Sequence, residues 1–161
     1  MTTNELKKFA TQVRIETVKE IGNMGLGHMG GSLSKADWLT VLYNGEMRNI
    51  DPQNPQNPNR DLLVMSKGHC GPALFSVLAL KGFFPLSELM TLCKGGSRLP
   101  SHCDRIRTPG IDASTGSLGQ GLSIANGYAY GAKLNGKDQR VYCIMGDGEI
   151  QEGQVWEASM F

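Results

Sequence analysis

Two short and almost unbroken apolar runs, Asp61-Leu62-Leu63-Val64-Met65-Ser66 and Arg140-Val141-Tyr142-Cys143-Ile144-Met145, each lead into a glycine-rich turn. A strand with one wet face alternates apolar and polar residues, whereas an unbroken run is covered on both faces. The segments between the runs carry apolar residues at helical spacing, and strands alternating with helices build a parallel sheet. The predicted fold class is therefore α/β, a parallel sheet with helices on both faces. Ligands of such sheets sit beyond the carboxyl ends of the strands, where the two glycine-rich turns fall.

Leu6, Phe9, Val13, Val18 and Ile21 predict an amphipathic helix over residues 4–21, stopped at Gly22-Asn23-Met24-Gly25. A second helix is expected from Ser34 as N-cap, through Trp38, Leu39, Val41 and Leu42, to Asn44-Gly45. Three prolines between Asp51 and Pro58 make that stretch a loop. Beyond the first strand, Gly68-His69-Cys70-Gly71-Pro72 opens a helix over residues 73–81, and Ser87 caps a short helix carrying Leu89, Met90 and Leu92. Residues 94–117 read as loop, residues 118–134 as helix, and a last helix begins near Gly153.

Composition narrows the function classes. Sixteen Lys and Arg against fifteen Asp and Glu leave a formal charge of +1 with no basic stripe, so nucleic acid is not an expected partner. The longest apolar run, Ala73 to Leu80, falls far short of the ~20 residues that span a bilayer, and no membrane role is expected. Residues 1–8 lack a basic segment leading into an apolar one, so no signal peptide is read. Cys70, Cys93, Cys103 and Cys143 form no C-x-x-C pair, which predicts reduced thiols and a cytoplasmic protein.

The turn Gly146-Asp147-Gly148 follows the second run. Gly148 lets backbone N–H groups approach a phosphate, and Asp147 suits Mg²⁺, which takes one or two carboxylates together with phosphate oxygens and water. The stretch reads either as a site for a Mg²⁺-bound diphosphate or as a glycine-rich acidic turn. All three histidines, His28, His69 and His102, lie in loops of small residues. They read either as satisfied structural groups or as the walls of one polar pocket. Gly25-x-Gly27-x-x-Gly30 matches a dinucleotide fingerprint in letters, but it follows a helix. His69-Cys70 and His102-Cys103 lack zinc-ligand spacing, and Cys70 reads as a filler thiol in preference to a nucleophile. Arg98, Arg105 and Arg107, which flank His102, read as solvated loop charges in preference to contacts for an anionic substrate.

Taken together, Gly146-Asp147-Gly148-Glu149, Gln151-Glu152-Gly153 and Trp156-Glu157-Ala158 closely resemble the thiamine-diphosphate motif of transketolases. The resemblance continues through Gly27-His28-Met29-Gly30-Gly31, Ser66-Lys67-Gly68-His69, Pro100-Ser101-His102, Thr108-Pro109-Gly110-Ile111 and residues 114–121, nearly the whole chain in order. It is most similar to the N-terminal subunit of split transketolases. The resemblance implies a thiamine-diphosphate-binding fold, with thiamine diphosphate and Mg²⁺ as cofactors and Ca²⁺ as a possible substitute for the metal. Asp147 is then the metal ligand, and His69, Gly116, Ser117, Leu118, Gly146, Asp147, Gly148 and Glu149 are the cofactor-binding residues. His28, His69 and His102 are the catalytic histidines at the sugar, and Glu152 is the carboxylate of a network across a dimer.

The implied reaction passes a two-carbon ketol unit from a ketose phosphate to an aldose phosphate, the cofactor supplying the carbanion chemistry. The alternatives are a deoxyxylulose-phosphate synthase-like enzyme on sugar phosphates and a non-catalytic assembly module. The family pattern runs on to an asparagine that completes the metal site and to a second domain that carries a glutamate. The expectation is thus a single partial domain over residues 1–161, inactive alone, in a homo- or hetero-oligomer with a C-terminal subunit carrying the pyrimidine-binding domain.

Overall fold

The computed structural model describes all residues 1–161. Helix α1 spans Thr3–Met24 and begins at a capping box: the Thr2 hydroxyl accepts the Glu5 N–H at 3.3 Å, and the Glu5 carboxylate accepts the Thr2 N–H at 2.6 Å. It ends at Gly25, whose φ of 77° is the left-handed cap that only glycine adopts freely. Helices α2 (Met29–Leu33) and α3 (Ala36–Val41) follow, the latter running into a π-helical turn over Leu42–Glu46. Strand β1 is Leu62–Met65, α4 is Gly71–Leu80, α5 is Gln120–Leu134, β2 is Val141–Ile144 and α6 is Gly153–Met160. Short 3₁₀ segments precede α4 and α6, and a longer one covers Leu86–Thr91.

β1 and β2 pair in parallel with Leu63 opposite Tyr142 and Val64 opposite Cys143. The two faces of this sheet feed two cores, as the unbroken apolar runs require. Leu63 and Met65 enter the main core with Val13 of α1, Leu39 of α3 and Phe75 and Leu78 of α4. Val64 enters a smaller one with Ala113 and Ala125 of α5. α4 is apolar all round and is buried from Gly71 to Ala79. Each fully buried Leu or Phe there contributes about 1.5–3 kcal/mol relative to exposure.

The N-terminal ends of the strands are held by Asp61, whose carboxylate accepts the Arg140 N–H at 2.8 Å and is bridged by Arg48 at 3.0 Å. Asp112 pairs with Arg60 and accepts the Leu63 N–H at 2.7 Å, so the long loop over residues 94–117 is pinned to β1. No helix is long and apolar enough to cross a membrane.

Three boundaries differ from the sequence reading. Ser34 caps no N-terminus; it closes α2 and its hydroxyl donates to the Gly31 carbonyl at 3.0 Å. α2 was hidden because its Met-Gly-Gly-Ser-Leu sequence has poor helix propensity, and packing against α1 and α4 overrides that. Ser87 lies inside the 3₁₀ segment behind Pro85, and α5 starts two residues late because Gly119 is left-handed, with φ 85°.

α1 also carries a buried acid. Glu20 is fully buried; its Oε1 accepts the Ser76 hydroxyl at 2.7 Å and its Oε2 has no partner. Burial pushes its pKa up to about 9, with Ser76 opposing and Glu16 adding to the rise. The folded state thus keeps a proton that the unfolded chain releases near pH 4.5, so stability falls as pH rises from there towards 9. Urea unfolding across pH should find Glu20→Gln more stable than wild type by on the order of 2–3 kcal/mol at pH 8, with the gap closing below pH 5. Parallel curves for the two proteins would contradict this.

Candidate functional site

The site is assembled where the two strands end. Glu149, only 3% exposed, stands between them. Its Oε1 accepts from the Ser66 hydroxyl and from the Gly119 N–H at 2.9 Å, and its Oε2 accepts the Gly146 N–H at 2.8 Å. Ser66 Oγ in turn accepts the Gly121 N–H at 3.1 Å. One carboxylate thereby ties together the ends of β1 and β2 and the start of α5. An ionised carboxylate is costly to bury unless hydrogen-bonded, and three donors meet that need. The approach is close enough to demand glycine: a Cβ on Gly119 would lie 2.8 Å from Glu152 Cβ, and one on Gly121 would lie 2.6 Å from Ser66 Cα. Glu149, expected among the cofactor-binding residues, points inward and is hydrogen-bonded to the loop that carries Asp147.

The residues around it face outward. Asp147 and Gly148 are exposed, the Asp147 carboxylate has no hydrogen-bond or ion-pair partner, and a Cβ on Gly148 would meet nothing within 4 Å. Gly146 is half-buried behind them. Gly116 and Ser117 line a cavity of about 280 Å³ with Thr115, Gln120 and Ile124, and Leu118 follows them in the chain, 40% exposed. The loop is fixed there because the Thr115 hydroxyl donates to the Met65 carbonyl at 2.6 Å.

The structure brings the three histidines together. His28, His69 and His102 line one cavity of about 120 Å³, with Ile21, Met24 and Leu92 as part of its apolar wall. The His28 and His69 rings meet edge to face, 4.7 Å between centroids, and His102 Nδ1 lies 3.0 Å from the Ser101 hydroxyl. A Cβ on Gly116 would lie 2.8 Å from His102 Cδ2, so this cavity adjoins the Gly116 loop. Burial and the neighbouring His28, Lys67 and His102 hold the His69 pKa below its usual value. His69 is therefore a neutral imidazole at pH 7, able to accept one proton and donate another. Glu152 stands exposed just before α6, its carboxylate without a partner in the chain.

The remaining glycines and cysteines have places in the fold. Gly25 caps α1 and Gly30 lies inside α2, so the dinucleotide-like glycines form a helix–turn–helix connection. No three His, Cys, Asp or Glu side chains gather into a metal-holding cluster. Cys70 is buried, and burial pushes its thiol up, as befits a filler. Two features escaped the sequence reading. The Ser66–Glu149 bond joins residues 83 apart, and Lys67, of a residue type almost never buried, is 5% exposed. The one signal for both was the Ser66-Lys67 pair at the end of an apolar strand.

A Mg²⁺-bound diphosphate fits this donor set: a free carboxylate at a strand end, an open glycine backbone and a loop cavity beside it. Fold and site together define an α/β cofactor-binding domain with its crevice at the carboxyl edge of the sheet. Residues 6–161 match the family described as transketolase, thiamine diphosphate binding domain, and the chain belongs to that family. It is 54% identical over 157 residues to the 6-deoxy-6-sulfo-D-fructose transketolase subunit SqwG of Clostridium sp. (strain MSTE9), covering 98% of this chain and 57% of that one. It is 43% identical over 157 residues to the transketolase of Homo sapiens, covering 97% of this chain and 25% of that one. The crystal structure of transketolase from Campylobacter jejuni superposes with a TM-score of 0.89 at 36% identity, over 98% of this chain and 26% of that one. The chain thus spans little more than half the length of the Clostridium protein and about a quarter of the two whole transketolases.

The Glu149 arrangement makes a direct prediction. Glu149→Ala strands the Gly119 and Gly146 N–H groups and the Ser66 hydroxyl, and should lower the unfolding free energy by about 3 kcal/mol or more in urea titration. A loss under about 0.5 kcal/mol, typical of a surface change, would contradict the assigned role.

Proposed function

We propose that this chain is the thiamine-diphosphate-binding N-terminal part of a transketolase, working with a C-terminal subunit that carries the pyrimidine-binding domain. The observation that carries the proposal is the convergence, at the strand ends of a transketolase-family chain, of the free Asp147 carboxylate, the open Gly148 backbone and a cavity walled by all three histidines. Asp147 would hold Mg²⁺, with Ca²⁺ as substitute, and the Gly146–Gly148 and Gly116–Leu118 backbones would hold the diphosphate. When bound, the cofactor supplies the electron sink for breaking and forming a carbon–carbon bond next to a ketone.

The chain's own side chains bind and orient. The neutral His69 imidazole faces the crevice with His28, and His102 enters from the long loop. Between them they offer donors and acceptors for the oxygens of a ketose and can move a proton to or from a sugar hydroxyl. The apolar wall of Ile21, Met24 and Leu92 excludes water behind them. Glu152 would meet the same residue of a second protomer, or a partner group, through a shared network. Exposed Trp156 on α6 supports an assembly in which this face is covered.

The substrates proposed are a ketose phosphate donor and an aldose phosphate acceptor. The relative named for 6-deoxy-6-sulfo-D-fructose favours a second reading, in which the donor's terminal anion is a sulfonate. Four free cysteines support a reducing, cytoplasmic location.

Calorimetric titration of thiamine diphosphate with Mg²⁺, into the chain alone and together with a C-terminal transketolase subunit, tests the reading. Binding is expected to require the metal and to weaken about tenfold or more in Asp147→Ala, the loss of one charge-assisted contact. Two-carbon transfer is expected only with the partner present. A folded wild-type chain that binds no thiamine diphosphate in either setting would overturn the proposal.

A further inference from the structure

Lys67 is a buried charge that the site described above leaves without a counterion. It is 5% exposed, and its ammonium donates to the Gly31 carbonyl at 3.2 Å. None of the ion pairs in the chain includes it. Its stem crosses the loop after β2, since a Cβ on Gly146 would lie 3.6 Å from Lys67 Cδ. Half-buried Lys35, at the start of α3, stands close to Lys67, with the Cys70 thiol and the Asp147 carboxylate also near it. Burial, and then Lys67, hold the Lys35 pKa below that of an ordinary lysine.

The adjacent carboxylates do not balance this pair. Glu149 is taken up by Ser66, Gly119 and Gly146, and Asp147 forms an ion pair with neither lysine. Burying an ammonium without a counter-charge costs several kcal/mol, and a second ammonium beside it adds repulsion. A buried cation whose partners are one carbonyl and the Cys70 thiol, with no carboxylate among them, packed on the glycine loop that faces the crevice, is the arrangement an incoming anion completes.

We propose that Lys67, backed by Lys35, is the cationic arm of the crevice and binds the diphosphate of thiamine diphosphate. This rests on the reading of the crevice as a diphosphate site. Lys67 makes the charge-assisted contact; Lys35 is a positioning residue whose repulsion turns the Lys67 ammonium towards the anion. Asp147 with its metal and the lysine pair then divide the diphosphate charge between them.

The test titrates inorganic pyrophosphate, thiamine diphosphate and unphosphorylated thiamine, each with Mg²⁺, into the chain assembled with its C-terminal partner. Lys67→Gln is expected to weaken pyrophosphate and thiamine diphosphate about tenfold or more and to flatten their salt dependence, leaving thiamine unchanged. Without ligand its melting temperature should match or exceed that of wild type, because an unpaired buried charge is gone. Lys35→Gln, at a half-buried site, should weaken the same two ligands less, and it carries the test if Lys67→Gln fails to fold. Unchanged pyrophosphate affinity in folded variants would overturn the inference, as would a fall in melting temperature with affinity intact, which would make Lys67 a tether for α2. In both cases wild-type binding that depends on Asp147 leaves the proposed function standing. Wild type that binds no thiamine diphosphate sinks the reading on which both depend.

Discussion

A buried carboxylate, Glu149, is the point at which both strands, the helix α5 and the loop after β2 meet. Its counterpart at the opposite end of the sheet is Asp61, which joins the residues entering β1 and β2 through Arg48 and the Arg140 N–H. A two-stranded parallel pair has little stability of its own. Here its backbone termini are drawn together by acids at both ends, and apolar cores press on both faces. The division of labour along Gly146–Glu149 follows from this. Glu149 turns in to satisfy buried donors, which leaves Asp147 and Gly148 turned out and unencumbered.

The same economy of small residues shapes the rest of the crevice. Gly119 and Gly121 bring the start of α5 against Ser66 and Glu152, and Gly116 lets the His102 ring sit against the loop backbone. The long segment over residues 94–117 has almost no regular structure, yet Asp112 and Thr115 hold it to β1 through a backbone N–H and a carbonyl. That is how a loop delivers His102 to a cavity whose other imidazoles come from the start of α2 and the end of β1.

Much of this was legible in the sequence because local rules dictated it. The unbroken apolar runs located both strands, and Leu6, Phe9 and Val13 located α1. The glycine-flanked Asp147 and the three loop histidines mark the crevice in the sequence itself. What stayed hidden depends on partners distant in the chain. Nothing local distinguishes Glu149, which turns in, from Asp147 two residues earlier, which turns out; Ser66 decides it from 83 residues away. Lys67 is a type of residue seldom buried, and it is buried here with its stem against Gly146, where β2 lies beside β1. α2 is invisible to propensity because its glycines form a helix only under packing.

Glu149 holds the strand ends and the loop as one unit, and amide hydrogen exchange measures that directly. If the carboxylate binds the Gly119 and Gly146 N–H groups as described, both should exchange at least about a hundredfold more slowly than the open amides of Ser117 and Gly148. They should also approach the rates of the β1 amides. Exchange of Gly119 and Gly146 at the rate of those open neighbours would contradict the account.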